Sequence, residues 1–129
     1  MFNWRFNQLR LMLKFSSKEG TPYDSINKHT IQGFIYSILQ DTDYSNFHDS
    51  RGFKYFTFSN IFPVSNLKKG ETKTLIISSP KQGFIRLLDN SLKNKDDFYL
   101  GKHRMTNEQV KVFKPQLKGR FITSTPIVL

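Results

Sequence analysis

The sequence predicts an α+β fold in which one antiparallel sheet carries two helices on a single face. Three observations lead there. Apolar residues alternate with a period of two over residues 5–15. Two stretches, Ile31 to Leu39 and Phe84 to Leu92, repeat their apolar residues at helical spacing. Between and after them lie short runs rich in aromatic and β-branched residues, bounded by turn-forming ones. The length, 129 residues, is that of one domain, with no internal repeat and no low-complexity tract.

The first strand, residues 5–15, sets Leu9, Leu11, Leu13 and Phe15 on one face and Gln8, Arg10 and Lys14 on the other. SSKEGTPYD then reads as a loop, and Asp24 or Ser25 as the N-cap of a helix reaching about Gln40. Ile31, Phe34, Ile35, Ile38 and Leu39 form its apolar stripe. Residues 41–52 are polar and turn-rich, a loop. FKYFTFS (53–59) favours a strand, which Ile61–Val64 extends past a kink at Pro63. NLKKGET centres a hairpin turn on Gly70, and Lys73–Ser78 is the returning strand.

Ser79 followed by Pro80 reads as an N-cap with proline at the first helical position. Phe84, Ile85, Leu87, Leu88 and Leu92 define the second helix, weakened by Gly83. After a turn at Asn94–Asp97 come three strand candidates, Phe98–Met105, Gln109–Lys114 and Arg120–Val128. The order β-α-β-β-α-β, with extra C-terminal strands, is that of a single ferredoxin-like domain over residues 1–129. That fold hosts many functions and names none.

Charge is more informative. Lys and Arg number 20 against 10 Asp and Glu, a net charge of +10. Residues 1–64 carry 7 basic and 5 acidic side chains, and residues 65–129 carry 13 and 5. Such a surplus, gathered in one half, suits a polyanion more than it suits solubility alone. The absence of cysteine excludes disulfide scaffolds, thiolate zinc sites and cysteine nucleophiles. The opening MFNWRFNQLRLMLKF is interrupted by Arg5, Arg10 and Lys14, so it is neither signal peptide nor membrane helix. The expectation is a soluble cytoplasmic domain with no membrane partner.

Three stretches sharpen this: TPYD…IQGFIYSIL (21–39), FHDSRGFKYFTFSNIF (47–62) and GRFITSTPIVL (119–129). In this order and spacing they resemble the N-terminal half of the CRISPR-associated endoribonuclease that processes precursor CRISPR RNA. That enzyme belongs to the repeat-associated mysterious protein superfamily. The resemblance implies a metal-independent, cofactor-free active site made of a helix Tyr, a loop His and a Lys opening the next strand. These are Tyr36, His48 and Lys54 here. It also implies a second ferredoxin-like domain with a glycine-rich loop, so residues 1–129 are expected to be the first half of a two-domain protein. Precursor CRISPR RNA is the implied partner, with a CRISPR effector complex and a homodimer as assemblies left open. The spacing between Pro22 and Ile31 departs from the family pattern by extra residues.

The chemistry fits the residue types. Cutting RNA without a metal uses the neighbouring 2′-hydroxyl as nucleophile and needs a base, an acid and cations for the crowded phosphorus. Tyr36 lies about 130° around the helix from the centre of the apolar stripe, at about 100° per residue, beside Gln32 and His29. A surface tyrosine packing on a neighbouring loop is its plainer reading. His48, in a polar loop, can donate or accept a proton near neutral pH, and the general acid is its favoured role. Lys54 shares strand parity with Phe56 and Phe58, at the rim of an aromatic face, and Arg51 is near enough to share the phosphate. Further along, Lys102, Arg104, Lys111, Lys114, Lys118 and Arg120 face a single acid, Glu108, and suit a surface that tracks phosphates. His29 and His103 have no partners at metal-ligand spacing, so no metal site is expected. Two other readings stand beside the nuclease: a non-catalytic CRISPR RNA-binding protein of the same fold, and an interaction module unrelated to RNA.

Overall fold

A computed structural model describes residues 9–40 and 56–115. The elements are β1 (Leu9–Ser17), a 3-10 turn (Tyr23–Ser25), α1 (Lys28–Leu39), β2 (Thr57–Phe58), β3 (Thr72–Ser79), α2 (Gln82–Leu92), β4 (Asp97–Leu100) and β5 (His103–Phe113). The five strands form one antiparallel sheet in the order β2-β3-β1-β5-β4. With β4 set aside, this is the ferredoxin-like arrangement, in which β1 lies between β3 and β5. The expectation of an α+β sheet with helices on one face is met.

The odd-numbered side of β1 makes the core. Leu9, Leu11, Leu13 and Phe15 are buried there, as are Leu75 and Ile77 of β3. Onto it α2 lays Phe84, Ile85, Leu88 and Leu92, and α1 lays Ile31, Phe34, Ile35 and Leu39. Each such side chain, fully buried, contributes roughly 1.5–3 kcal/mol. Helix α1 reaches Phe98 of β4 through Phe34, with centroids 5.0 Å apart, and Phe56, just before β2, through Tyr36. Those contacts lie at opposite edges of the sheet, so the sheet curls around its helices.

Helix α1 begins later than the sequence reading has it. Tyr23–Ser25 turns first, and Asn27 is the cap: its Oδ1 accepts from the Thr30 amide at 3.0 Å, while the Thr30 hydroxyl accepts from the Asn27 amide. The turn is set by distant partners, since the Tyr23 amide donates to Asn66 Oδ1 and the Tyr23 hydroxyl to the Ile61 carbonyl. Helix α2 also starts two residues late. Ser79 is still paired with Leu9 across the sheet, and its hydroxyl accepts from the Lys81 amide, so the chain leaves β3 only at Pro80.

The expected strand Phe98–Met105 is two strands. Gly101 takes φ +64°, where a Cβ would also sit 3.2 Å from Thr30 Cγ2, and the chain reverses there into β5. Met105 and the expected strand Gln109–Lys114 then belong to one continuous β5. Among the described residues the extra strand is β4, placed before β5. The candidate Arg120–Val128 lies outside the described residues. Gly70, at φ +80°, holds the turn expected there.

Candidate functional site

The even-numbered side of β1 is the open face. Register places Arg10 between Ser78 and Phe113, Met12 between Ile76 and Lys111, and Lys14 between Thr74 and Gln109. Beyond a register shift, Ser16 lies between Thr72 and Thr106, and at the far edge Arg104 faces Tyr99. Phe62 pairs with Thr74 beyond β3 and is 38% exposed. Cations, hydroxyls and exposed rings thus share one surface.

The shift matters. Lys14 pairs with Gln109 and Phe15 with Asn107, which leaves Glu108 as an extra residue in β5. Its carboxylate accepts from the Ser16 hydroxyl at 2.6 Å. Because the bulge adds one residue, Arg104 and Lys111 fall on the same open face.

Of the basic residues expected from the sequence, Lys102 is exposed in the β4–β5 turn and Lys114 just past β5. Arg104 donates to Asp97 at 2.7 Å, and Lys18 sits 3.3 Å from the other oxygen of that carboxylate. Chiefly the hydrogen bond from Arg104 holds the Asp97 carboxyl below its usual value, with Lys18 adding to it and partial desolvation opposing. Lys118 and Arg120 lie outside the described residues. The sequence reading misses that Arg10, Lys14 and Lys18 join this surface. Strand β1 sits centrally in the sheet, so the near-neutral half of the chain supplies cations to the same face. The alternation of β1 carries that signal. Arg10 Nε and Ser78 Oγ, cross-strand neighbours, are buried without hydrogen-bond partners among the described residues, and burial pulls the Arg10 guanidinium below its ordinary value.

On the helix side, Tyr36 is half-buried and packs against the core. Its ring meets Phe56 edge-on at 5.9 Å. Phe56 in turn stacks on Phe84 at 5.2 Å and lies 6.3 Å from Phe58. The helical wheel sets Tyr36 apart from the core; the structure puts it at the core's margin, because the curled sheet brings Phe56 to that flank. Phe56 is buried and Phe58 half-buried against the core, so the aromatic face expected along this strand is mainly packing, with the Phe58 ring partly open. His48, Arg51 and Lys54 lie outside the described residues.

Another buried cation is not legible in the sequence. Lys73, fully buried, donates to the Pro63 carbonyl at 2.8 Å and the Ser65 hydroxyl at 2.7 Å, with Glu71 at 3.9 Å. It fastens the segment after β2 to β3. Among the described residues no helix is long and apolar enough to cross a membrane.

No family model matches the chain. A CRISPR-associated endoribonuclease, Cas6 2, of Methanocaldococcus jannaschii is 44% identical over 94% of this chain and 50% of its own length. The Cas6 endoribonuclease of Haloferax mediterranei is 24% identical over 94% of this chain and 47% of its own. A solved structure described as a RAMP protein binding different RNA substrates superposes with a TM-score of 0.63 at 18% identity, over 86% of this chain and 50% of that one. The chain spans about half the length of the curated relatives it matches.

Proposed function

The chain carries a Cas6-type domain, and on that premise we propose that the protein cuts CRISPR repeat RNA through Tyr36, His48 and Lys54. The observation that carries this reading is the contact between Tyr36 and Phe56. It ties the end of α1 to the start of β2, and the intervening chain holds His48 and Arg51, with Lys54 two residues before Phe56. Tyr36 and Phe56 thus bring together the two ends of the segment that carries His48, Arg51 and Lys54 in sequence.

The reaction needs no external electron or metal. The 2′-hydroxyl attacks the adjacent phosphorus as it loses its proton, the bond from phosphorus to the 5′-oxygen breaks, and that oxygen gains a proton. The products are a 2′,3′-cyclic phosphate and a 5′-hydroxyl end. Tyr36 works at the 2′-hydroxyl, His48 protonates the leaving oxygen, and Lys54 with Arg51 offsets the charge that builds on the phosphorane. Arg10, Lys14, Arg104, Lys111, Lys102 and Lys114 hold phosphates of the flanking RNA, supported by the clustering of the first four on the open face, with Lys102 in the adjoining turn and Lys114 just past β5; Lys118 and Arg120 extend that set in sequence. The partner is precursor CRISPR RNA, and the protein works in the cytoplasm as half of a two-domain enzyme. A homodimer and a CRISPR effector complex are the larger assemblies this reading admits.

The rival is a non-catalytic RNA-binding protein of the same fold. Incubating the full-length protein with repeat RNA in excess chelator separates the two. Specific cutting that is lost in His48→Ala and Lys54→Ala supports the nuclease. Tight binding with no cutting overturns it in favour of the rival, and no binding even at low salt overturns both.

A further inference from the structure

We propose that a cleft beside the aromatic row of Tyr36, Phe56 and Phe58 holds the base of a nucleotide flanking the cut; this deepens the RNA reading above and rests on it. The cleft, about 250 Å³, opens between the Tyr23–Ser25 turn, the first turn of α1 and the chain leaving β2. Its floor is apolar: Ile26, Ile31 and Ile61 are buried there, and the half-buried Phe58 ring forms a wall. Its rim is polar, with Asp24, Lys28 and Asn60 all exposed.

The polar groups divide into two sets. Those in the walls are engaged: the Tyr23 hydroxyl donates to the Ile61 carbonyl, and the Ser59 hydroxyl donates to the Asn60 carbonyl and accepts from the Ile76 amide. The rim side chains of Asp24, Lys28 and Asn60 make no hydrogen bond or ion pair among the described residues. An apolar slot with one aromatic wall, topped by a free amide, a carboxylate and an ammonium, complements a nucleotide. The base lies against Phe58, its edge meets Asn60 and Asp24, and Lys28 takes the phosphate. A carboxylate only accepts hydrogen bonds, so Asp24 pairs with a base N–H, either the amino group of adenine, cytosine or guanine or the N3–H of uracil.

Position links the cleft to the chemistry. Ring contacts run from Tyr36 to Phe56 at 5.9 Å and from Phe56 to Phe58 at 6.3 Å, so the Phe58 ring lies within about 12 Å of the Tyr36 ring. A short stretch of single strand covers that distance.

The test uses the full-length protein and repeat RNA carrying a 2′-deoxy sugar at the cut, so that binding is read without cleavage, beside cleavable RNA. Single abasic substitutions are walked through the nucleotides flanking the cut. In the wild type an abasic site at one position should cost about tenfold in affinity, as loss of one stacked base does, and uracil there, which still stacks, should cost less than the abasic site. In Phe58→Leu that penalty should disappear, and in Asn60→Ala it should shrink, while the penalties at other positions stay. Melting temperatures confirm that both variants fold, and Asn60, being exposed, gives the variant least able to disturb the core. If RNA is bound and cut but both variants keep the wild-type abasic profile, the cleft proposal is overturned and the nuclease reading stands. If the wild type neither binds nor cuts, both fall.

Discussion

Arg104 and Lys111 are seven positions apart in one strand and yet point to the same face of the sheet. An odd separation in a regular strand puts two side chains on opposite faces. The extra residue Glu108, tied to Ser16 by a 2.6 Å hydrogen bond, shifts the alternation by one and brings them together. The same shift keeps Met105 in the core along with Val110 and Val112 at its margin.

Deleting Glu108 should therefore be far worse than substituting it. Regular alternation would turn either Met105 or Val110 and Val112 away from the helices, costing on the order of 2–5 kcal/mol by denaturant unfolding, as loss of a buried apolar side chain does. Glu108→Ala removes one hydrogen bond and should cost about 1 kcal/mol or less. A deletion variant as stable as the wild type would show that the bulge does not set the two faces.

The open-face cations should act together on RNA. Replacing Arg10, Lys14 or Lys111 by Ala is expected to weaken repeat RNA binding and to flatten the dependence of log K on log salt by roughly 0.7 for each phosphate left without its cation. Titrations at several salt concentrations read both quantities. Unchanged slopes in all three variants would move the RNA off this face.

Tyr36→Phe separates packing from chemistry. The edge-on contact with Phe56 survives, so melting should hardly change, while cleavage should fall by about 10²–10⁴ if the hydroxyl takes part in proton transfer. Affinity for RNA with a 2′-deoxy cut site should stay near the wild-type value. Loss of stability with full activity would mark the ring as purely structural.

Asp97 gives a pH signature. Its carboxyl titrates below the usual value in the folded chain, so its pairing stabilises the fold above about pH 4, the ordinary carboxylate value, and is lost as pH falls through the lower folded one. The melting difference between wild type and Asp97→Asn should be present at neutral pH and vanish in acid. At neutral pH the variant also frees Arg104 and Lys18, so it should bind repeat RNA more tightly than the wild type at low salt.

Lys73→Met should destabilise by about 1.5–3 kcal/mol, because it removes the charge-assisted hydrogen bonds to Pro63 and Ser65. Denaturant midpoints measure this. Protection of the Phe62 amide, which donates to the Thr74 carbonyl at 3.0 Å, should fall with it in hydrogen exchange.

The sequence by itself determined the local terms. Period-two alternation identified β1 and its buried face, helical spacing found the cores of α1 and α2, and the charge surplus pointed to a polyanion. Each depends on the side chains of one short segment and on fixed backbone periods. Where a long-range partner decides, the sequence was silent or off. The α1 cap moved to Asn27 because Asn66 and Ile61 hold the Tyr23 turn, and α2 starts late because Ser79 is still paired with Leu9. Lys73 looks like any strand lysine until the Pro63 carbonyl and the Ser65 hydroxyl cover it. Above all, a bulge exists only in relation to the strand opposite. Nothing within residues 103–113 states that Glu108 is the extra residue, and only pairing with β1 decides that Arg10, Lys14, Arg104 and Lys111 share one face.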